Sequence, residues 1–351
     1  MNKYIAIMAG GVGSRFWPSS TNERPKQFLD ILGVGKSLIR MTFERALRLV
    51  PADHVFIVTN KRYKTLVMEH LPELPQENIL CEPSMNNTAP CIAYTALRIN
   101  ALDPNAVFAV PPSDHVILKE EEYVNKLSQA FDFAASQEAI VTLGIQPTRP
   151  DTGYGYINYQ KETIGNEQIH KVISFKEKPD LVTAETYLES GDYLWNAGMF
   201  VWSVPTILQS YKINAPQILD VLMQQNALYG TAGEQAYIDT VYPDTQKISV
   251  DYAILERADN VYTIPADIGW SDLGTWNSLH AYMSEGNDAV SVGQNIHLID
   301  SKDIIVISNN HKQIVIKGLK DYIVVDEENA LLIYPKSDEQ EIKGVVQDLI
   351  R

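Results

Sequence analysis

Between residues 10 and 26 the chain places Gly10, Gly11, Gly13, Ser14, Arg15, Arg24 and Lys26, directly after the apolar run Tyr4-Ile5-Ala6-Ile7-Met8. A backbone stripped of side chains brings its N–H groups close to an anion, and fixed cations beside it neutralise the charge. The chemistry that suits is the holding of phosphate. Two familiar phosphate loops fail on inspection: G-x-G-x-x-G after Gly11 and Gly13 would need glycine where Phe16 stands, and G-x-x-x-x-G-K-[ST] ending at Gly35-Lys36-Ser37 would need it where Asp30 stands. A plain glycine-rich turn is the alternative, and it leaves the concentration of cations unexplained.

Two acidic residues are candidates to act with this loop. Asp114 follows the buried-strand run "AVFAVPPSDH", and Asp272 lies in "GWSDLG". Each has a structural alternative, an Asx turn for Asp114 and the N-cap of the helix that "TWNSLH" opens for Asp272. His115 has no partner at zinc-ligand spacing. Gly153, Tyr154 and Gly155 stand where a ligand could approach a strand, or where a strand simply begins. "FKEKPD", with Glu177 and Lys178, taken alone is a solvated charge run before a helix. Asn87 and Thr88 precede Pro90 and read as a helix cap.

These side chains need a scaffold. Apolar runs at Tyr4-Met8, Val55-Thr59, Ile79-Cys81, Ala106-Val110 and Ile140-Leu143 alternate with helical stretches Ser37-Val50, Thr88-Leu102 and Glu120-Ala135. That alternation predicts an α/β fold with a mainly parallel, Rossmann-like sheet covered on both faces, and a strand entering Gly10 places the loop at the sheet's carboxyl edge. From about 150 to 203, glycine-punctuated aromatic strands predict an inserted antiparallel region. Helices are expected at Pro205-Tyr211, Pro216-Tyr229 and Val250-Arg257.

Short apolar runs then begin at Ile296, Ile304, Ile314, Tyr322 and Ala330, spaced 8, 10, 8 and 8 residues apart. The spacing fits a small β-helix-like tail or a β-meander equally. A last helix is expected at about Glu339-Leu349. The expected division is a catalytic domain, 1–285, and a tail domain, 286–351.

The chain has 351 residues, 45% of them apolar, enough for a large core, and a formal charge of −15. That charge opposes nonspecific attraction to nucleic acid or anionic lipid, so neither partner is expected. No run approaches the roughly 18 apolar residues of a membrane span, and the N-terminus does not read as a signal peptide, so a cytoplasmic protein is expected. Cys81 and Cys91 are read as small buried residues.

The order Gly10, Gly11, Gly13, Ser14, Arg15, Trp17, Pro18, Ser20, Pro25, Lys26, Gln27, Phe28 resembles the opening of the sugar-1-phosphate nucleotidyltransferases, most closely the mannose-1-phosphate guanylyltransferases. "EPSMNNTAP", "PPSDHVI", "GYGYI", "FKEKPD", "WNAGMF", "SVDYAILE", "GWSDLGTW" and the tail stretch "KGLKDYIVVDEENALLIYPK" are similar to family blocks in family order. The resemblance spans nearly the whole chain. Asn86 stands where the family usually carries arginine, and the chain ends about where the short members end, without the isomerase domain of long bifunctional ones, so isomerisation is not expected.

The resemblance implies a GT-A-like nucleotidyltransferase fold and transfer of GMP from GTP to mannose 1-phosphate, releasing pyrophosphate without a covalent intermediate. It implies Mg²⁺, or another divalent cation, on Asp114 and Asp272. Arg15 would grip the triphosphate and Lys26 the reacting phosphates, so the catalytic set is Arg15, Lys26, Asp114 and Asp272. Gly10, Gly11, Gly13, Ser14, Arg15, Asn87, Thr88 and Asp114 would face the nucleotide. Gly153, Tyr154, Glu177, Lys178 and Asn196 would face the sugar phosphate. Asp251 resembles a position near the active centre with no assigned role. A homodimer through the tail is expected, because exposed strand edges pair readily. The competing readings are a nucleotidyltransferase for another nucleotide or sugar 1-phosphate, and a noncatalytic sugar-nucleotide sensor.

Overall fold

The computed structural model describes residues 1–164, 168–284, 287 and 289–349; the expected domain boundary between 285 and 286 lies outside the described residues. The chain forms two compact units. One comprises Met1–Gly10, Phe43–Pro112 and Ile117–Trp270; the other comprises Gly11–Thr42, Ser113–Val116 and the chain from Ser271 onward.

In chain order the elements are β1 (Lys3–Ala9), α1 (Leu38–Leu47), β2 (Val55–Asn60), α2 (Lys64–His70), β3 (Ile79–Glu82), α3 (Thr88–Leu102), β4 (Val107–Val110) and β5 (Val116–Ile117). There follow α4 (Glu120–Ser136), β6 (Ile140–Ile145), β7 (Gly155–Thr163), β8 (His170–Glu177), α5 (Leu181–Ser190), β9 (Tyr193–Ser203), α6 (Val204–Asn214), α7 (Pro216–Leu222) and α8 (Glu234–Val241). β10 (Val261–Pro265), β11 (Trp270–Ser271) and α9 (Trp276–Met283) lead to the tail. The tail holds β12 (Ala289–Val292), β13 (Ile296–Ile299), β14 (Ile304–Ser308), β15 (Ile314–Lys317), β16 (Tyr322–Glu327), β17 (Ala330–Pro335) and α10 (Ile342–Leu349).

The first unit is built on a nine-stranded sheet ordered β3-β2-β1-β4-β9-β6-β10-β8-β7. β3, β2, β1 and β4 are parallel, as the strand–helix alternation predicts. Their inner runs, Tyr4–Ala9, Val55–Val58, Ile79–Cys81 and Val107–Val110, are apolar without a break and mostly buried, as a sheet covered on both faces requires. β9 runs antiparallel to β4 and β6, and β7 runs antiparallel to β8 and β9, which is the expected antiparallel region. α3 is buried from Ala89 to Ile99, on every face rather than along one stripe. Among the described residues no helix is long and apolar enough to cross a membrane.

Two expected helices differ. The helix from Pro216 ends at Leu222, because the apolar spacing of Ile218, Leu219 and Leu222 lapses into Gln224-Gln225-Asn226. The hydroxyls of Tyr229 and Tyr237 each donate to the Leu222 carbonyl at 2.8 Å, occupying the acceptor a further turn would use. The stretch Val250-Arg257 holds a π-turn, Asp251–Leu255, in which the Glu256 N–H donates to the Asp251 carbonyl at 3.0 Å. Such a turn inserts one residue and often marks a functional site.

In the second unit the tail is a coil of parallel rungs. β12, β14 and β16 pair parallel, and β13 pairs parallel with β15 in a separate sheet, so each strand meets the next but one. A meander would pair successive strands antiparallel. Ile296 lies opposite Ile314 and Ile305 opposite Ile323, so the spacing near eight residues is half of one full coil. The corners use left-handed Asn295, Asp300, Asp303 and Asp321, residue types that tolerate that conformation. β17 reverses and closes the sheet antiparallel to β16. Ile342 and Val346 of α10 share a core with Phe16, Leu29, Trp276 and Leu279.

Candidate active site

Gly13, Ser14, Arg15, Phe16, Lys26, Asp114, His115, Asp272, Gly274 and Lys343 line one cavity of about 330 Å³, all from the second unit. Gly13 sits at φ +72, where a Cβ would come 2.5 Å from the Lys26 Cβ, so the turn and the closeness of the lysine both require glycine there. At Gly11 an added Cβ would meet nothing within 4 Å, which leaves its backbone in the open.

Lys26 is 3% exposed. Its Nζ donates to Asp114 Oδ2 at 3.0 Å and to the Asp272 backbone carbonyl at 2.7 Å. Phe16 lies under the ammonium, 5.5 Å from Nζ to the ring centroid. Burial pushes the Asp114 carboxyl up, but the Lys26 charge, His115 and the Lys26 hydrogen bond overcome it and hold the group below its ordinary value.

The N-cap role that is the structural alternative for Asp272 belongs to Thr275, whose hydroxyl accepts from the Ser278 N–H at 3.1 Å in a reciprocal capping box. The Asp272 carboxylate instead accepts from the Gly274 N–H at 3.1 Å and lines the cavity. Two loop carboxylates line the cavity, with an ammonium held between one of them and the other's backbone oxygen, and they offer hard oxygen donors. That donor set fits a divalent ion such as Mg²⁺.

In the first unit, Gly153, Tyr154, Glu177, Lys178 and Asn196 form a second group. Tyr154 packs edge-on against Trp195 and Trp270. Lys178, at φ 47 just after β8, is exposed, and its Nζ pairs with Glu177 Oε1 at 3.1 Å. At Gly155 a Cβ would come 2.6 Å from Glu177 Oε2 and 2.9 Å from Phe175 Cζ. Asn196 Oδ1 accepts from the Thr142 hydroxyl at 3.0 Å and the Gly198 N–H at 3.1 Å, while Nδ2 donates to Asp251 Oδ1 at 3.2 Å. Both ends of the amide are therefore engaged, which fixes its orientation.

Asp251 gains a definite place here. The π-turn presents its carboxyl to Asn196, and from the same segment Glu256 accepts the Glu177 backbone N–H at 3.2 Å. Desolvation, then the neighbouring Glu177 carboxylate, push the Asp251 carboxyl up to about 7.

The nucleotide candidates of the first unit are held by local structure. Asn87 caps α3, its side chain accepting from the Thr88 N–H at 2.8 Å, and the Thr88 hydroxyl accepts from the Val250 N–H at 2.9 Å. Gly10 lies beside Glu82, whose carboxyl burial drives up to about 7. Asn86, where the family pattern expects arginine, is fully buried; its amide donates to Tyr242 O, Thr245 O and Thr245 Oγ1. It is a staple inside the unit.

Two residues at the cavity, Lys343 and Gln340, were not legible in the motifs, whereas His115 stands in "PPSDHVI". Lys343 lines the cavity, Gln340 Oε1 accepts from Arg15 Nε at 3.1 Å, and His115 adds an imidazole. Lys343 and Gln340 lie more than 300 residues from the glycine loop in the sequence, on a segment read only as a last helix.

Residues 5–289 match the family model described as nucleotidyl transferase, and residues 293–349 match that of the MannoseP isomerase/GMP-like beta-helix domain. A mannose-1-phosphate guanylyltransferase of Escherichia coli K12 is 34% identical over 358 residues, covering 99% of this chain and 73% of the relative. The alginate biosynthesis protein AlgA of Pseudomonas aeruginosa is 34% identical over 352 residues, covering 98% and 71%. A solved structure from Thermus thermophilus, described as a mannose-1-phosphate geranyltransferase, superposes with a TM-score of 0.90 at 28% identity, covering 100% of both chains.

Proposed function

This chain belongs to the nucleotidyl transferase family, among the mannose-1-phosphate guanylyltransferases, and from that membership we propose that it transfers GMP from GTP to mannose 1-phosphate, yielding GDP-mannose and pyrophosphate. The observation that carries the reading is the cavity in which Gly13, Arg15, Lys26, Asp114 and Asp272 converge.

The chemistry asks little of a covalent catalyst. A phosphomonoester with its second pKa near 6 is largely dianionic at neutral pH, so the nucleophile needs no general base. The enzyme must bring two polyanions together and neutralise charge developing on the leaving pyrophosphate. Arg15 and Lys26 supply fixed positive charge there, and Gly10, Gly11, Gly13 and Ser14 offer backbone N–H groups. Asp114 and Asp272 would hold Mg²⁺, which when bound screens the phosphates and polarises the α-phosphorus. Asn87 and Thr88 are proposed to border the nucleotide. On the sugar side, Lys178 pairs with the phosphate, while Glu177 and the oriented Asn196 take sugar hydroxyls beside Gly153 and Tyr154.

We assign residues 1–285 as the catalytic domain and 286–351 as the coiled tail domain, whose Lys343 also lines the cavity. A homodimer through the tail is part of the reading: Leu331 and Ile333 are exposed on β17, at the end of its sheet. Free, buried Cys81 and Cys91 accord with the cytoplasmic location we assign.

The test is pyrophosphate release over GTP, UTP, dTTP and ATP, each with mannose, glucose and galactose 1-phosphates. GTP with mannose 1-phosphate should give the highest kcat/KM. A preference for another pair would replace the assignment, and binding of GDP-mannose without pyrophosphate release would make the protein a sensor.

A further inference from the structure

The tail contributes directly to the cavity wall. Arg15 is exposed and sits on a one-turn 3₁₀ segment, Ser14–Phe16, too short to fix a long side chain. Its Nε donates to Gln340 Oε1 at 3.1 Å, just before α10. One turn of sequence further on, Lys343 lines the same cavity as Arg15, Lys26, Asp114 and Asp272. The segment is anchored: the Asn277 N–H donates to Glu339 Oε2 at 2.9 Å, and the Asn277 amide donates to the Lys336 carbonyl at 2.8 Å. Ile342 and Val346 are buried in the core that also holds Phe16. Lys343 and Gln340 are thus carried on a segment with fixed packing.

We propose that this C-terminal segment is a working part of the nucleotide site, with Lys343 binding the triphosphate and Gln340 acting as the positioning residue for Arg15. Charge supports it. Arg15, Lys26 and Lys343 face Asp114 and Asp272 in one lining, three fixed cations against two carboxylates, a small surplus for a ligand bearing several negative charges. Lys343 would meet the terminal phosphates as a mobile point charge, whereas Arg15 offers a planar fork whose direction its Nε contact sets. This inference rests on the guanylyl-transfer reading for its substrate.

The experiment measures KM for GTP and for mannose 1-phosphate separately by pyrophosphate release, and GTP binding by equilibrium dialysis with Mg²⁺ present. Lys343→Ala should raise the KM and dissociation constant for GTP about three- to tenfold, the scale of one partly exposed charged contact. The KM for mannose 1-phosphate should stay within about twofold. Lys343→Arg should recover most of the loss, and log KM for GTP should depend less steeply on salt in Lys343→Ala. Gln340→Ala should weaken GTP binding in the wild-type background and have no further effect in Arg15→Ala, because it acts through that arginine.

Unchanged GTP binding in Lys343→Ala, or an equal rise in both KM values, overturns the role of Lys343. An undiminished Gln340→Ala effect in the Arg15→Ala background overturns the positioning. A wild-type protein that binds GTP more tightly than Lys343→Ala yet releases no pyrophosphate refutes guanylyl transfer and upholds the tail contact.

Discussion

Lys26 Nζ and Asp114 Oδ2 lie 3.0 Å apart, joining the glycine loop to the residue just after "VPPS" in a pair whose lysine is almost wholly buried. The lysine keeps the aspartate ionised, and in the proposed reaction its charge would stand beside the reacting phosphates.

Removing that ammonium should therefore act twice. Lys26→Met is expected to lower kcat by two or more orders of magnitude, the scale of losing a transition-state charge contact. It should also alter acid stability. The Asp114 carboxyl is held below its ordinary value, so its contribution is present above the unfolded value of about 4 and is lost as pH falls through the folded one. The acid-unfolding midpoint, followed by circular dichroism, should move to higher pH in Lys26→Met.

Asp114→Asn and Asp272→Asn should each lower kcat by orders of magnitude at saturating Mg²⁺ while the circular dichroism spectrum is unchanged. Treating the wild type with a chelator should abolish turnover, and adding Mg²⁺ should restore it. Near-normal turnover in either variant would remove that residue from the metal site.

The residues proposed for the sugar phosphate can be perturbed on their own. Gly155→Ala places a Cβ 2.6 Å from Glu177 Oε2 and must displace that carboxylate. The KM for mannose 1-phosphate should rise about tenfold or more, the KM for GTP should hold, and Lys178→Ala should show the same split. Equal shifts in both constants would mean a general disturbance.

Asp251 offers a pH test. Its carboxyl, pushed up to about 7, keeps a proton in the folded protein that the unfolded chain releases near pH 4. Its contribution to stability therefore falls as pH rises from about 4 to about 7. Asp251→Asn keeps an oxygen for the Asn196 amide and removes the titration. Urea unfolding at pH 5 and pH 8 should show a shallower decline than wild type, with Glu82 accounting for part of the slope that remains.

Much of this was legible in the sequence because short motifs dictate it. Gly13 must be glycine for the loop to pass Lys26, and the strand before Gly10 needs no tertiary information to be recognised. Asp272 shows the limit: an aspartate four residues before a helix and an N-cap look alike until the Thr275–Ser278 box is seen to satisfy the helix. The π-turn at Asp251 carries no periodic signature, since one inserted residue scarcely changes an eight-residue pattern. Gln340 and Lys343 escaped because partners so distant in sequence meet only through packing of Ile342 and Val346.

The parallel register of the tail leaves it free to grow. Because Ile296 faces Ile314 and Ile305 faces Ile323, duplication of one whole winding would add a storey while every existing rung keeps its neighbour and its inward face. A single extra residue within a rung would turn the following side chains inside out. Length variation among such tails should therefore come in complete windings.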